Sequence, residues 1–204
     1  MKHEIIPESN NGKQVDLLEE IELGTNEDAV GIYAEARERL LHPRIWKPMT
    51  GTAAADFKTP GVTEKAGDTH VSVGDYISID IPAPGSSAGD GHDWVRVEKI
   101  EEGFDPDTDE SFAMTMKVCE NPVQPEKGVA HFFAEGASST FIITRKGLKV
   151  TASYHGRNET PNLDNPTLGD KIRNAVVAVG AMAGVSELQW KAFLKGLLAV
   201  HHNY

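Results

Sequence analysis

The chain has 204 residues, 39% hydrophobic and 25% charged, with 31 acids against 20 bases and a formal charge of −11. That length suits one domain with a packed core, and the acidic balance argues against nucleic acid as a partner. No run approaches the ~18 consecutive apolar residues of a membrane helix, and the single cysteine, Cys119, excludes an internal disulfide and a cysteine zinc cage.

The opening MKHEIIPES contains no apolar signal core, so a cytoplasmic location is expected. Residues 1–12, with Pro7 and the Asn10-Asn11-Gly12 run, are expected as a disordered tail; 13–204 are expected as a single domain. In residues 13–23, Val15, Leu18 and Ile21 recur every third position, which predicts a short helix stopped by Gly24. A second helix follows. Thr25 and Asp28 stand at capping spacing, Ala29, Ile32, Tyr33, Ala36 and Leu40 form an apolar stripe, and Pro43 ends it.

Beyond Pro48 the period changes to two. Strands are predicted over 70–81, 93–101, 111–119, 129–134, 139–145 and 148–155, with Lys146-Gly147 joining the last two as a tight hairpin. Along 148–155, Leu148, Val150, Ala152 and Tyr154 share an apolar face while Lys149, Thr151, Ser153 and His155 share a polar one. Two helices close the chain. The first begins at the Thr167/Asp170 cap, and the last carries Leu188, Trp190, Phe193, Leu194, Leu197 and Leu198.

Strands segregated between helices and joined by hairpins predict an α+β fold. The expected architecture is a mostly antiparallel curved sheet, or a partly open β-barrel, of about six strands with two N-terminal and two C-terminal helices. A curved sheet wrapping the last helix is compatible with this order. The charge is also polarised: residues 1–40 hold 10 acids and 4 bases, residues 140–204 hold 4 acids and 8 bases. Docking of the acidic front on the basic rear, within one molecule or between copies, would follow.

Few motifs carry chemistry. Gly89-Asp90-Gly91-His92-Asp93-Trp94 sets a histidine beside carboxylates, with Trp94 as a stacking wall. Tyr154-His155-Gly156-Arg157-Asn158-Glu159 sets a guanidinium next to an asparagine and a glutamate at a strand end, an arrangement suited to a carboxylate or phosphate. A catalytic reading uses His155, Asp93 and His92 as a carboxylate–histidine system of a hydrolase or lyase, built where loops 82–93 and 156–166 meet. The acidic run Asp105-Pro106-Asp107-Thr108-Asp109 fails as a calcium loop, because Glu110 and Met116 stand where glycine and glutamate are needed. There is no HExxH or equivalent pair, no nucleophile elbow, no Walker loop and no dinucleotide fingerprint, so no metal and no cofactor are expected. Lys117 beside Cys119 could lower the pKa of a partly exposed thiol. The leading expectation is a non-catalytic small-molecule-binding or interaction domain. Its ligand would be apolar or anionic, contacted by Arg157, Trp94, Tyr154 and Trp190, and the apolar last helix could serve self-association.

Overall fold

The computed structural model describes residues 5–49, 55–60, 70–80, 89–103, 105–162 and 187–200. Strand β1 (Lys13–Glu22) leads into helix α1 (Asn26–Leu41). Then come β2 (Asp56–Lys58), β3 (Tyr76–Asp80), β4 (Asp93–Glu102), β5 (Glu110–Val118), β6 (Ser138–Lys146) and β7 (Lys149–Glu159). Residues 187–197 form helix α2. The seven strands make one antiparallel sheet in the order β1-β7-β6-β5-β4-β3-β2, curved into a half-barrel.

Each strand presents one face to the concave core. Val15, Ile77, Val95, Val97, Phe112, Met114, Met116, Phe141, Ile143, Val150, Ala152 and Tyr154 belong to one buried cluster with the inner faces of α1 and α2. Helix α1 starts as its cap predicts. The Thr25 hydroxyl accepts the Asp28 N–H at 3.1 Å, and Ala29, Ile32, Tyr33, Ala36 and Leu40 are buried. Helix α2 lies on the concave side and buries Phe193, Leu194, Leu197 and Leu198, so its apolar face is spent inside the molecule. Leu188, 71% exposed, is the large apolar side chain it leaves in solvent among its described residues.

The helix expected over 13–23 is a strand. Val15 and Ile21 lie six residues apart, a spacing that satisfies periods of two and three alike. The discriminating position is the next leucine: Leu17 packs on the core, while Leu18 is 59% exposed. Pairing with β7 over nine positions decides the outcome. The strand expected over 129–134 is not formed. That segment makes only the isolated bridges Glu120–Val129 and Phe133–Pro161, wedged between the ends of β5 and β7. With β1 and β2 gained and 129–134 lost, the described sheet has seven strands in place of about six. The β6–β7 turn is Gly147-Leu148, one residue later than expected, since Lys146 pairs with Lys149. Gly147 (φ +59°) holds the first turn position, where a type II′ hairpin takes glycine. The predicted helix beginning at Thr167 lies outside the described residues.

The acidic front does meet the basic rear within one molecule. Across β1 and β7, Asp16 pairs with Arg157 at 2.6 Å and Glu20 with Lys149 at 2.9 Å; Lys191 of α2 lies 3.7 Å from Glu19. Ahead of β1, residues 5–12 lie on the outer face. Ile5 packs with Ala113 and Ile142, its carbonyl accepts the Thr115 hydroxyl, and the Asn158 side chain holds the backbone of Glu8, Asn10 and Asn11. No helix of the described residues is long and apolar enough to cross a membrane.

Candidate functional site

The concave face ends in a polar cluster built by an irregularity in β7. Val15 pairs with Gly156, but Lys13 pairs with Glu159, so Arg157 and Asn158 stand opposite the single residue Gln14. Asn158 takes φ +56°, a left-handed conformation that asparagine tolerates better than most residues. This bulge resets the alternation and brings Glu159 back to the side of Tyr154. Gly156 makes room: a Cβ there would lie 2.1 Å from Glu159 Oε1 and 3.0 Å from the Tyr154 hydroxyl. The Tyr154 hydroxyl donates to Glu159 Oε1 at 3.1 Å and stands 3.2 Å from Ser139 Oγ.

Aromatic rings complete the site. Trp190 of α2 stacks on Tyr154 with centroids 5.2 Å apart and planes 18° from parallel, and Phe141 meets both rings. Lys13 forms an ion pair with Glu187 beside them. Burial raises the pKa of Glu159; the Tyr154 hydrogen bond and the Lys13 charge oppose this without cancelling it. Burial also pushes the Tyr154 phenol up. The result is a half-buried carboxyl, held by a phenol, at the rim of an aromatic interior. Such a group can accept a proton or pair with a ligand's donor.

The raised pKa fixes a sign. The folded protein holds the Glu159 proton at a pH where the unfolded chain has released it. Stability therefore rises as pH falls through the folded pKa, and levels off below the unfolded value near 4.5. Glu159→Gln is expected to leave stability at pH 7 equal or higher and to flatten this rise. Denaturant unfolding between pH 4 and 8 checks it, and an unchanged slope would contradict the assignment.

The sequence-predicted residues divide among three places. Tyr154 and Trp190 come together in the stack just described. His155 and Arg157 lie on the opposite, outer face. His155 Nδ1 is 2.6 Å from Asp16 Oδ1 and its Nε2 3.0 Å from Ser153 Oγ. Arg157 donates to the same Asp16 oxygen and to the carbonyls of Val15 and Gly156. Although burial acts to raise the Asp16 pKa, hydrogen bonds from Arg157 and His155 outweigh it and hold the carboxyl below its usual range. Arg157 thus staples the β1–β7 pair, and an anion on the concave side is not within its reach.

Asp93, His92 and Trp94 sit at the start of β4. Asp93 is 3% exposed and accepts the Phe132 N–H at 3.2 Å. Its histidine neighbour is His131, with Nε2 3.9 Å from Asp93 Oδ2. Burial lowers the His131 pKa, Asp93 opposing, and His131 Nδ1 accepts the Phe133 N–H. Trp94 is buried and its indole N–H points to the Gly89 carbonyl, so it closes a turn instead of offering a stacking wall. The catalytic grouping of His155 with Asp93 and His92 is not assembled. Following the register, His155 aligns with Thr140, Thr115 and Lys99, three strands from β7 and six residues along β4 from Asp93. That is roughly 14 Å across the sheet and roughly 20 Å along it, far beyond hydrogen-bond reach.

Two other motifs resolve as structure. Asp105 and Asp109 shape the β4–β5 loop: Asp105 accepts the Asp107 N–H, and Asp109 accepts from Gly147 N and Arg145. Burial pushes the Cys119 thiol up to about 12, with only partial opposition from Arg96, so the expected lowering by Lys117 does not occur. Sequence reasoning set Glu159 beside Arg157 at the strand end, not against Tyr154, and missed Ser139. The available signal was Gly156, two residues after an inward tyrosine, followed by an asparagine able to break the alternation.

The chain matches no protein-family model and no curated protein. Among solved structures it is similar to the hypothetical protein jhp0584 from Helicobacter pylori, with TM-score 0.49 and 9% identity over 91% of this chain and 88% of that one. It is also similar to truncated norcoclaurine synthase from Thalictrum flavum (TM-score 0.39, 14% identity, 96% and 100% covered). Ara h 8.0201 is a third (TM-score 0.35, 12% identity, 88% and 98% covered). Likenesses this distant carry no argument about function.

Proposed function

We propose that this chain is a non-catalytic small-molecule-binding module whose ligand lies against the Trp190–Tyr154 stack and hydrogen-bonds to Glu159. One observation carries the reading. A half-buried carboxyl with a raised pKa stands beside stacked aromatic rings at the end of a largely apolar concave face. The favoured ligand is a flat or ring-bearing apolar molecule with an amine or another hydrogen-bond donor, since a carboxyl partner disfavours anions.

Native and denaturing mass spectra of the purified protein come first: retained mass lost on denaturation is the expected result. Tryptophan fluorescence should then be titrated with phenethylamine, 2-phenylethanol and 3-phenylpropionate, three probes with one ring and different head groups. The amine is expected to bind best and the carboxylate worst. Glu159→Gln is expected to weaken amine binding about tenfold or more, as loss of a charge-assisted hydrogen bond does, while sparing the alcohol. Trp190→Ala is expected to weaken all three. No retained mass together with no saturation by any probe would remove the reading.

A further inference from the structure

Beyond the concave site, the last turns of α1 gather three metal-ligating side chains. We propose that Glu38, His42 and His70 form a binding site for a divalent transition metal of the zinc class. Glu38 lies in the last turn of α1 and His42, four residues on, caps its C-terminus, while His70 approaches from the chain that leads into β3. One ligand atom from each residue lies within 4.8 Å of the other two. His70 Nε2 is 2.7 Å from Glu38 Oε2, and the two imidazoles meet edge to face with centroids 4.2 Å apart. Ligand atoms about 2.1 Å from a tetrahedral metal stand about 3.4 Å from one another, so a side-chain adjustment of about 1 Å completes the set.

The surroundings are those of a ligating set. His42 Nδ1 lies 2.9 Å from the Glu38 carbonyl oxygen, which can only accept, so the neutral ring carries its proton on Nδ1 and keeps the Nε2 lone pair for a metal. The Glu38 carboxylate is divided: Oε1 accepts from Arg37 at 3.0 Å, and Oε2 faces His70. On binding, the metal would take the place of the proton shared by His70 Nε2 and Glu38 Oε2, and that proton would pass to solvent. Two imidazoles and a carboxylate suit zinc and its neighbours better than magnesium, and three protein ligands leave a position for water or a ligand atom. A metal there would also clip the end of α1 to the 70–71 segment, where Val71 N already donates to the Leu41 carbonyl.

Calorimetric titration of the full chain with Zn2+ and with Mg2+ tests the site. The expected result is one equivalent of Zn2+ bound and no measurable Mg2+. His42→Asn, His70→Asn and Glu38→Gln should each weaken Zn2+ binding by at least the ~10- to 100-fold that follows loss of an outer partner. The double variant His201→Asn/His202→Asn, which removes the other adjacent histidines of the sequence, should bind as the parent does. Circular dichroism confirms that each variant is folded; where one is not, the remaining single variants carry the test. Absence of one-equivalent Zn2+ binding, its survival in the His42 and His70 variants, its loss in the His201/His202 variant, or equal binding of Mg2+ would each overturn the proposal.

Discussion

Trp46→Ala is expected to cost about 3–5 kcal/mol of stability, the range for removing a fully buried large aromatic side chain. Trp46 is 0% exposed and joins three parts of the fold. Its ring meets Phe57 of β2 at 5.2 Å, Phe193 of α2 at 5.0 Å and Phe141 of β6 at 6.1 Å. Its indole N–H donates to the Arg39 carbonyl in the last turn of α1 at 3.0 Å. Alanine would leave a cavity between sheet and helices and remove one of that carbonyl's two donors, leaving the His42 N–H at 3.3 Å. At roughly 2–4 °C per kcal/mol for a domain of this size, the melting temperature should fall by about 10 °C. Trp46→Phe keeps most of the volume and should cost only about 1–2 kcal/mol, mainly the lost hydrogen bond. Urea unfolding followed by far-ultraviolet circular dichroism checks both variants. A Trp46→Ala cost below 1 kcal/mol would mean that this tryptophan does not tie the elements together.

Arg39→Ala is expected to cost about 2–3 kcal/mol, as loss of charge-assisted hydrogen bonds to buried acceptors does. Arg39 belongs to α1, yet its Nη1 donates to the carbonyls of Leu197 (2.6 Å) and Ala199 (2.9 Å) at the end of α2. It therefore supplies from another helix the donors that the final carbonyls of α2 lack, with a positive charge at the negative end of the helix dipole. Glu35 pairs with Nη2 and orients the guanidinium. The loss should be local first. Amide exchange over 190–198 is expected to accelerate more than exchange in β5 or β6, because α2 is released from the sheet before the sheet opens. Arg39→Lys should recover part of the stability, since an ammonium retains the charge but lacks the planar fork. Uniform acceleration across the sheet would show that Arg39 supports the whole core and not the α2 clasp.

The parts of the fold legible in the sequence are those whose signal is local. The Thr25–Asp28 cap predicts α1, and the period of two predicts β4, β5, β6 and β7. Tyr154 is recognisable as an inward aromatic, whereas Trp190 belongs to a helix whose apolar residues suit burial or an interface alike. What was not legible depends on partners distant in sequence. Leu17 and Leu18 of β1 carry the same side chain, and only β7 decides which of them turns inward. Residues 129–134 alternate well, but their hydrogen bonds go to Asn162, Cys119 and Trp94 rather than to one neighbouring strand. Glu159 reads as an outer residue by simple alternation until the Asn158 bulge reverses it. Glu38 and His42 are visibly one helical turn apart, but His70 is joined to them only by the folded chain.

The pairing of β1 with β7 also bears on how the molecule is made. In synthesis, β1 emerges about 130 residues before the strand that completes it. At 5–20 residues per second, that is an interval of roughly 6–25 s. Throughout it, Val15, Leu17 and Ile21 have no permanent cover, and the strand's unpaired edge is open to other chains. The run of acids at Asp16, Glu19, Glu20 and Glu22, which later meets Arg157, Lys149 and Lys191, meanwhile repels other nascent copies of the same segment. One set of charges thus keeps the waiting strand solitary on the ribosome and then closes the finished half-barrel.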